Sequence, residues 1–382
     1  MRKCNFIHCS DIHLDSPFSY FGMDVEKSDL RRRELRNVFK VITDLAIENK
    51  VDFLIISGDL YEHKYINKST ILFINDLFEE LNPIKIFIAP GNHDPYLNNS
   101  YYKNFNWSKN VIIFNKENKN YYLDDIGVRI HGVGFENYYE KDLLNLLNKD
   151  INREYINILV THGTLDLDIG NNNYNPISSK QLEEYKFDYI ALGHFHTIIK
   201  EAGRDKNIFN PGCPEPLKFG DSNNCGVYIT EIEKNEIESV SLKSIFINTN
   251  KRFFEKIYIK VDGVNSDNYI IDKIIKSIER FQNYRIGSFM LILNGKIKRD
   301  YKIDIKYINE KINGKVFYFK VIDNTDIEYD LERLKNDKGL CGVFVRKTLE
   351  KIKTADDEEK ELLKKALDYG IELIENGKLD MV

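Results

Sequence analysis

The sequence predicts a layered α/β sandwich, followed by a small α+β unit and a helical C-terminus. Three observations carry that reading. Up to residue 88, short apolar runs alternate with segments of helical periodicity, the order of a parallel sheet with right-handed crossovers. From residue 111 the pattern turns richer in strands, enough for a second sheet. Clusters of Asp, Asn and His follow directly after strand-like runs, where the crevice of a parallel sheet gathers its loops.

Taken in order, residues 4–9 read as a short buried strand. Residues 26–49 space Leu30, Leu35, Val38, Val41, Ile42 and Leu45 as one helix face. Residues 53–56 form a second strand, 68–81 a helix through Ile71, Leu72, Ile74, Leu77, Phe78 and Leu81, and 84–88 a third strand. Strands are expected at 111–114, 120–123, 127–133, 156–161 and 188–192, with a helix at about 140–149. Residues 225–232 and 237–247 alternate as an antiparallel pair. A boundary falls near Thr249-Asn250-Lys251, closing a first domain at 1–250. The unit at 251–325 reads strand 254–261, helix 267–282, strand 288–294, helix 303–313 and strand 315–321. Residues 326–382 are mostly helical and charged, and the helix at 357–376 carries one apolar stripe through Leu362, Leu363, Ala366, Leu367, Gly370, Ile371 and Ile374.

A chain of 382 residues, 42% hydrophobic, holds two or three domains. No apolar run approaches the length of a membrane span, and Met1-Arg2-Lys3 leads straight into a strand rather than a secretory segment, so a cytoplasmic protein is expected. Five cysteines with no Cys-x-x-Cys pair read as buried, reduced thiols. The net charge of −5 gives no overall basic balance, so any nucleic-acid contact must rest on a local basic patch or on bound metals.

Five clusters carry the chemistry: Asp11-Ile12-His13, Gly58-Asp59, Gly91-Asn92-His93-Asp94, His162-Gly163 and Gly193-His194-Phe195-His196. Five of the eight histidines sit in them. Asp, Asn and His are the side chains that hold hard and borderline divalent metals. Seven potential ligands and one spare histidine suffice for two ions. Asp11/His13 and His194/His196 are each two apart, which on an extended backbone points both side chains the same way. Any one cluster reads equally well as turn chemistry; their order along one chain does not.

That order resembles the calcineurin-like metallophosphoesterase superfamily, with its α-β-β-α sandwich. Asp11-Ile12-His13-Leu14-Asp15-Ser16-Pro17-Phe18, Gly58-Asp59-Leu60-Tyr61, Thr161-His162-Gly163-Thr164, Asn210-Pro211-Gly212-Cys213-Pro214-Glu215-Pro216 and Lys251-Arg252-Phe253-Phe254 narrow it. They resemble the SbcD-type DNA repair exonucleases, in particular the YhaO-like branch. The resemblance implies one metal on Asp11, His13 and His196, a second on Asn92, His162 and His194, and Asp59 bridging both. It favours manganese, makes His93 the general acid toward a leaving 3′ oxygen, and implies 3′–5′ exonuclease action at DNA ends. It further implies that residues 251–325 cap the duplex, that the C-terminal helices dock on an SbcC-like coiled-coil ATPase, and that the protein is a homodimer.

One departure stands out. Three residues after Asp59, where relatives often have Asp or His, this chain has Glu62 and then His63. Glu62 can orient the His93 imidazole, or His63 can approach the substrate phosphate; a plain exposed loop is the alternative to both. Lys64 and Tyr65 follow and can track a nucleic-acid backbone, as can Arg31 and Arg32 in the run Arg31-Arg32-Arg33, unless that run is a solvated helix face. His8 and His131 are expected to be structural, and Asp166 and Asp168 solvated. Two other functions share these clusters: a phosphodiesterase or phosphatase with a non-DNA substrate, and a catalytically silent scaffold that binds DNA ends.

Overall fold

The computed structural model describes residues 1–18, 25–166, 174–235, 239–298 and 300–376. Asp168 lies outside them. The chain divides into two compact units, Met1–Phe254 and Glu255–Val382.

Two six-stranded sheets build the first unit. One runs Val240–Asn248, Gly226–Lys234, Arg2–Cys9, Phe53–Ile56, Lys85–Ile88, Val111–Ile113. Its last four strands are parallel and its first two antiparallel. The other runs Ile199–Ala202, Ile208–Asn210, Tyr189–Gly193, Ile156–His162, Val128–Val133, Asn120–Leu123, with four parallel strands at its centre. Period-two alternation assigns the faces. Leu54 and Ile56 pack with Leu35, Phe39, Ile42 and Phe78 of the helices Val25–Glu48 and Lys68–Glu80. Phe53 and Ile55 point the other way, to Ile130, Ile158, Tyr189 and Phe209 between the sheets. Beyond the second sheet, Leu159, Ile190 and Leu192 meet Leu143, Leu144, Leu182 and Tyr185. The predicted α/β sandwich is therefore present layer by layer.

The differences are local. The helix expected at about 140–149 contracts to a 3-10 turn, Leu143–Leu146, whose apolar residues cap the second sheet. Strands Ile199–Ala202 and Ile208–Asn210 widen that sheet; they are too short and mixed to show as periodic.

The second unit has a three-stranded sheet in which Ser288–Lys298 pairs in parallel with Tyr318–Glu328. Helix Asp267–Ile278 buries Ile270, Ile271, Ile274 and Ile278, and helix Ile305–Ile312 buries Ile308 and Ile312. The last helices, Leu340–Thr354 and Asp357–Asn376, share a small core of Cys341, Val345, Leu367 and Ile371. Among the described residues no helix is long and apolar enough to cross a membrane.

One predicted contact residue is corrected here. Arg31 is fully buried, not on a solvated helix face. Its guanidinium meets Glu215 at 2.6 Å, Glu34 at 2.8 Å and the Pro216 carbonyl at 2.8 Å. It ties helix Val25–Glu48 to the Cys213-Pro214-Glu215-Pro216 segment and is not available to a phosphate. Removing it strands Glu215 as a buried carboxylate, so Arg31→Ala should lower the unfolding free energy by about 3–5 kcal/mol. Exposed Arg33→Ala should change it by less than about 0.5 kcal/mol. Urea denaturation of the two variants checks both values.

Candidate active site

All five clusters leave the carboxyl ends of parallel strands. Asp11 follows Arg2–Cys9, Asp59 follows Phe53–Ile56, Asn92 and His93 follow Lys85–Ile88, His162 ends Ile156–His162, and His194 follows Tyr189–Gly193. The loops are laced by their backbones: Asp11 N to Gly58 O at 3.0 Å, His13 N to Asp59 O at 2.9 Å, His63 N to His93 O at 3.0 Å. Asp11, His13, Asp59 and His194 all have positive φ (52°, 49°, 53° and 103°). The paired side chains thus converge through left-handed turns rather than through the extended backbone that the i, i+2 spacing suggested. Such conformations cost an L residue about 1–3 kcal/mol and persist only where the surroundings enforce them.

The side chains form two adjoining groups. In the first, His13 Nε2 lies 3.2 Å from His196 Nε2, and each is 4.0 Å from Asp11 Oδ1. In the second, Asn92 Oδ1 lies 3.1 Å from His162 Nε2 and 3.2 Å from His194 Nδ1. Asp59 stands between them, its Oδ2 3.3 Å from His162 Nε2 and 3.7 Å from His13 Nε2. All seven predicted ligands are thus brought together.

The donor chemistry calls for cations. His162 Nδ1 is 2.9 Å from the Ser57 carbonyl, which can only accept, so Nδ1 carries the proton. Nε2 then turns a lone pair toward Asn92 Oδ1 and Asp59 Oδ2, two further acceptors. A neutral site would oppose like poles there; a divalent ion, or a proton, reconciles them. His13 Nδ1 faces the Glu62 carboxylate, again leaving an Nε2 lone pair inward. The titration behaviour agrees. Burial disfavours the His162 cation, but the Asp59 carboxylate outweighs it and lifts the pKa to about 9. Burial alone would raise Asp59, yet the imidazoles around it hold it well below the usual range.

His93 belongs to neither group. Its ring is half-exposed, and Nδ1 lies 3.0 Å from Glu62 Oε2. Glu62 Oε1 is 2.9 Å from His13 Nδ1, so one carboxylate spans a candidate ligand and the spare histidine. Burial acts to raise Glu62, but His13 and His93 overcome it and bring it to about 2. Burial likewise opposes the His93 cation, and Asp59 and Glu62 override it, to about 9.

The other predicted substrate residues fall in two places. His63 Nδ1 is buried without a hydrogen-bond partner, and its ring meets Tyr138 edge-on at 6.3 Å. Lys64 lies over the same Tyr138 ring at 5.6 Å. Tyr65 is 52% exposed. With Arg32, Arg33 and Arg36 it lines a cleft of about 490 Å³. Arg32 pairs with Asp29, and Arg36 is pinned by Asp15 at 2.8 Å. His8 and His131 are buried and structural: His8 Nε2 lies 2.8 Å from Ser57 Oγ, and His131 sits between Asn120 and Asn157.

Two supporting carboxylates escaped the sequence reading. Asp94 is a buried pin: Oδ1 accepts the amides of Gly91 (2.7 Å) and Asp59 (3.1 Å), and Oδ2 accepts the Leu60 amide and the Tyr102 hydroxyl, both at 2.7 Å. Its place directly after His93 is a signal, since a buried Asp in a turn satisfies nearby amides. Asp221, behind His196, has no such signal, being 25 positions away in sequence.

A layered sandwich with two such groups at one end of its sheets defines a metal-dependent hydrolase site. The sequence profile of the calcineurin-like phosphoesterase family matches residues 4–197, just over half of the 382, and the chain belongs to that family, whose members use divalent metals. The chain is 27% identical over 248 residues to the uncharacterized metallophosphoesterase YhaO of Bacillus subtilis (strain 168), a match covering 62% of this chain and 59% of that protein. It thus spans about three fifths of that relative's length. It is 26% identical over 356 residues to the DNA double-strand break repair protein Mre11 of Methanocaldococcus jannaschii, covering 85% of this chain and 86% of that one. The crystal structure of TT1561 from Thermus thermophilus aligns at 10% identity with a TM-score of 0.36, over 63% of this chain and 98% of that one.

The geometry also yields a test. A Cβ on Gly91 would lie 2.2 Å from Asp59 Oδ1 and 2.8 Å from Asp59 N. Gly91→Ala must therefore move the central carboxylate, at about 1–3 kcal/mol. Divalent-metal affinity measured by equilibrium dialysis should fall roughly ten- to hundredfold; unchanged affinity would remove Asp59 from the centre of the site.

Proposed function

We propose that this protein hydrolyses DNA phosphodiester bonds from the ends of linear DNA, in DNA repair, with two divalent ions and preferentially manganese. Asp11, His13 and His196 would hold the first ion and Asn92, His162 and His194 the second, with Asp59 between the two groups serving both. When bound, the ions neutralise charge on the phosphoryl oxygens and lower the cost of generating the attacking nucleophile.

The chain's own residues supply the rest. His93 delivers a proton to the leaving 3′ oxygen, which leaves the phosphate on the 5′ oxygen of the released nucleotide; digestion proceeds in the 3′–5′ direction. Glu62, held between His13 and His93, fixes the direction from which that proton arrives. Arg32, Lys64 and Tyr65, with His63 behind them, follow the DNA backbone away from the cut. Residues 251–325 cap the duplex. Leu362, Tyr369 and Leu373, exposed on the last helix, offer the face that a coiled-coil ATPase partner would cover; a homodimer completes the assembly.

The observation that carries this reading is the reach of the Mre11 match. It extends over 85% of the chain, well beyond the matched phosphoesterase residues 4–197 and into the second unit. A phosphodiesterase for small substrates shares the metal clusters and has no need of that extension.

The test is digestion of an end-labelled linear duplex with manganese, with chelator, and with His93→Ala. The expected result is manganese-dependent shortening that falls about 10²–10⁴-fold in His93→Ala, while that variant keeps both metals. Loss of metal from His93→Ala would make His93 a ligand instead. Hydrolysis of bis(p-nitrophenyl) phosphate without any shortening of DNA would favour the non-DNA phosphodiesterase.

A further inference from the structure

His196 is held from behind. Its Nδ1 lies 3.2 Å from Asp221 Oδ1, while Nε2 faces His13 and Asp11. Asp221 is itself fixed: its side chain is 3% exposed, and Oδ2 accepts the amides of Leu217 at 2.8 Å and Lys218 at 3.0 Å. The segment Asn210-Pro211-Gly212-Cys213 closes the same wall. Asn210 Nδ2 donates to the Phe195 carbonyl at 3.0 Å, and Gly212, at φ +71°, lies where a Cβ would stand 3.0 Å from the His196 carbonyl.

We propose that Asp221 is a positioning residue for the first metal group alone. Its carboxylate can only accept, so it keeps the proton of His196 on Nδ1 and turns the Nε2 lone pair toward Asp11 and His13. The second group does not depend on it: His162 is oriented by the Ser57 carbonyl, and His194 presents Nδ1 to Asn92. This inference rests on the ligand set proposed above. It also gives the Asn210–Pro216 motif and the loop that ends at Asp221 a purpose in the site. Asp221, His196 and Cys213 lie close enough to hold an ion of their own. Against that, Asp221 Oδ2 is committed to two amides, and Cys213 Sγ faces Cys225 Sγ at 3.7 Å.

Asp221→Asn makes a sharp probe. The Leu217 and Lys218 amides need an oxygen, so the Asn carbonyl turns to them and its NH₂ group turns to His196. That NH₂ donates to Nδ1 and forces the proton onto Nε2, the nitrogen that must ligate; an Asp-to-Asn change behind a catalytic histidine elsewhere acts through the same wrong tautomer.

The experiment is a manganese titration of the full-length protein followed by electron paramagnetic resonance, on wild type, Asp221→Asn and Asp221→Glu. Wild type should bind two equivalents. Asp221→Asn should bind one with wild-type affinity and the other about 10–100-fold more weakly, with Asp221→Glu recovering most of the loss. The intact second site reports that the variant is folded. Wild-type affinity at both sites of Asp221→Asn, equal weakening of both, or a third equivalent that only this variant loses would each overturn the inference. Fewer than two equivalents in wild type would overturn the ligand set, and this inference with it.

Discussion

The position of the Asp59 carboxylate is the constraint on which the site depends. Asp59 sits in a left-handed backbone conformation at the end of an inner strand, with Gly91 packed against its carboxylate. Its amide is held by Asp94, and its Oδ1 accepts the His93 amide at 2.8 Å. That leaves Oδ2 at the seam between the two side-chain groups. If Asp59 moved by about an ångström, Oδ2 would no longer face both groups. The sandwich behind it, with Phe53 and Ile55 facing one core and Leu54 and Ile56 the other, sustains the strained turns that put it there.

Around that carboxylate, three imidazoles are oriented by the same physical device. Each has one nitrogen facing an acceptor outside the centre: the Ser57 carbonyl for His162, Glu62 for His13 and Asp221 for His196. The acceptors decide which nitrogen carries the proton, and therefore which lone pair faces inward. His8 extends the arrangement one layer deeper, bonding the Ser57 hydroxyl from between the sheets. Glu62 differs in serving two histidines at once, which couples the His93 proton to the first group.

Much of this was legible in the sequence, for identifiable reasons. The strands at 53–56 and 85–88 announce themselves as short apolar runs buried on both faces, and the helix at 68–80 because its buried residues recur at helical spacing. The seven candidate ligands are legible because Asp, Asn and His recur at strand ends. The remainder depends on contacts that no local pattern encodes. Arg31, Arg32 and Arg33 look alike in the chain; only the fold puts Glu215 beside Arg31. Asp221 looks like any turn residue until the loop brings it to His196. The strand Ile199–Ala202 is only partly buried, so it leaves no alternation to read.

The sharing of Asp59 by two ions can be measured without a substrate. Low-temperature electron paramagnetic resonance of manganese-loaded protein reports whether two ions interact. An exchange-coupled pair is expected in the wild type, replaced in Asp59→Asn by the spectrum of isolated ions or by loss of metal. A wild-type spectrum of isolated ions, or coupling that survives Asp59→Asn, would contradict it.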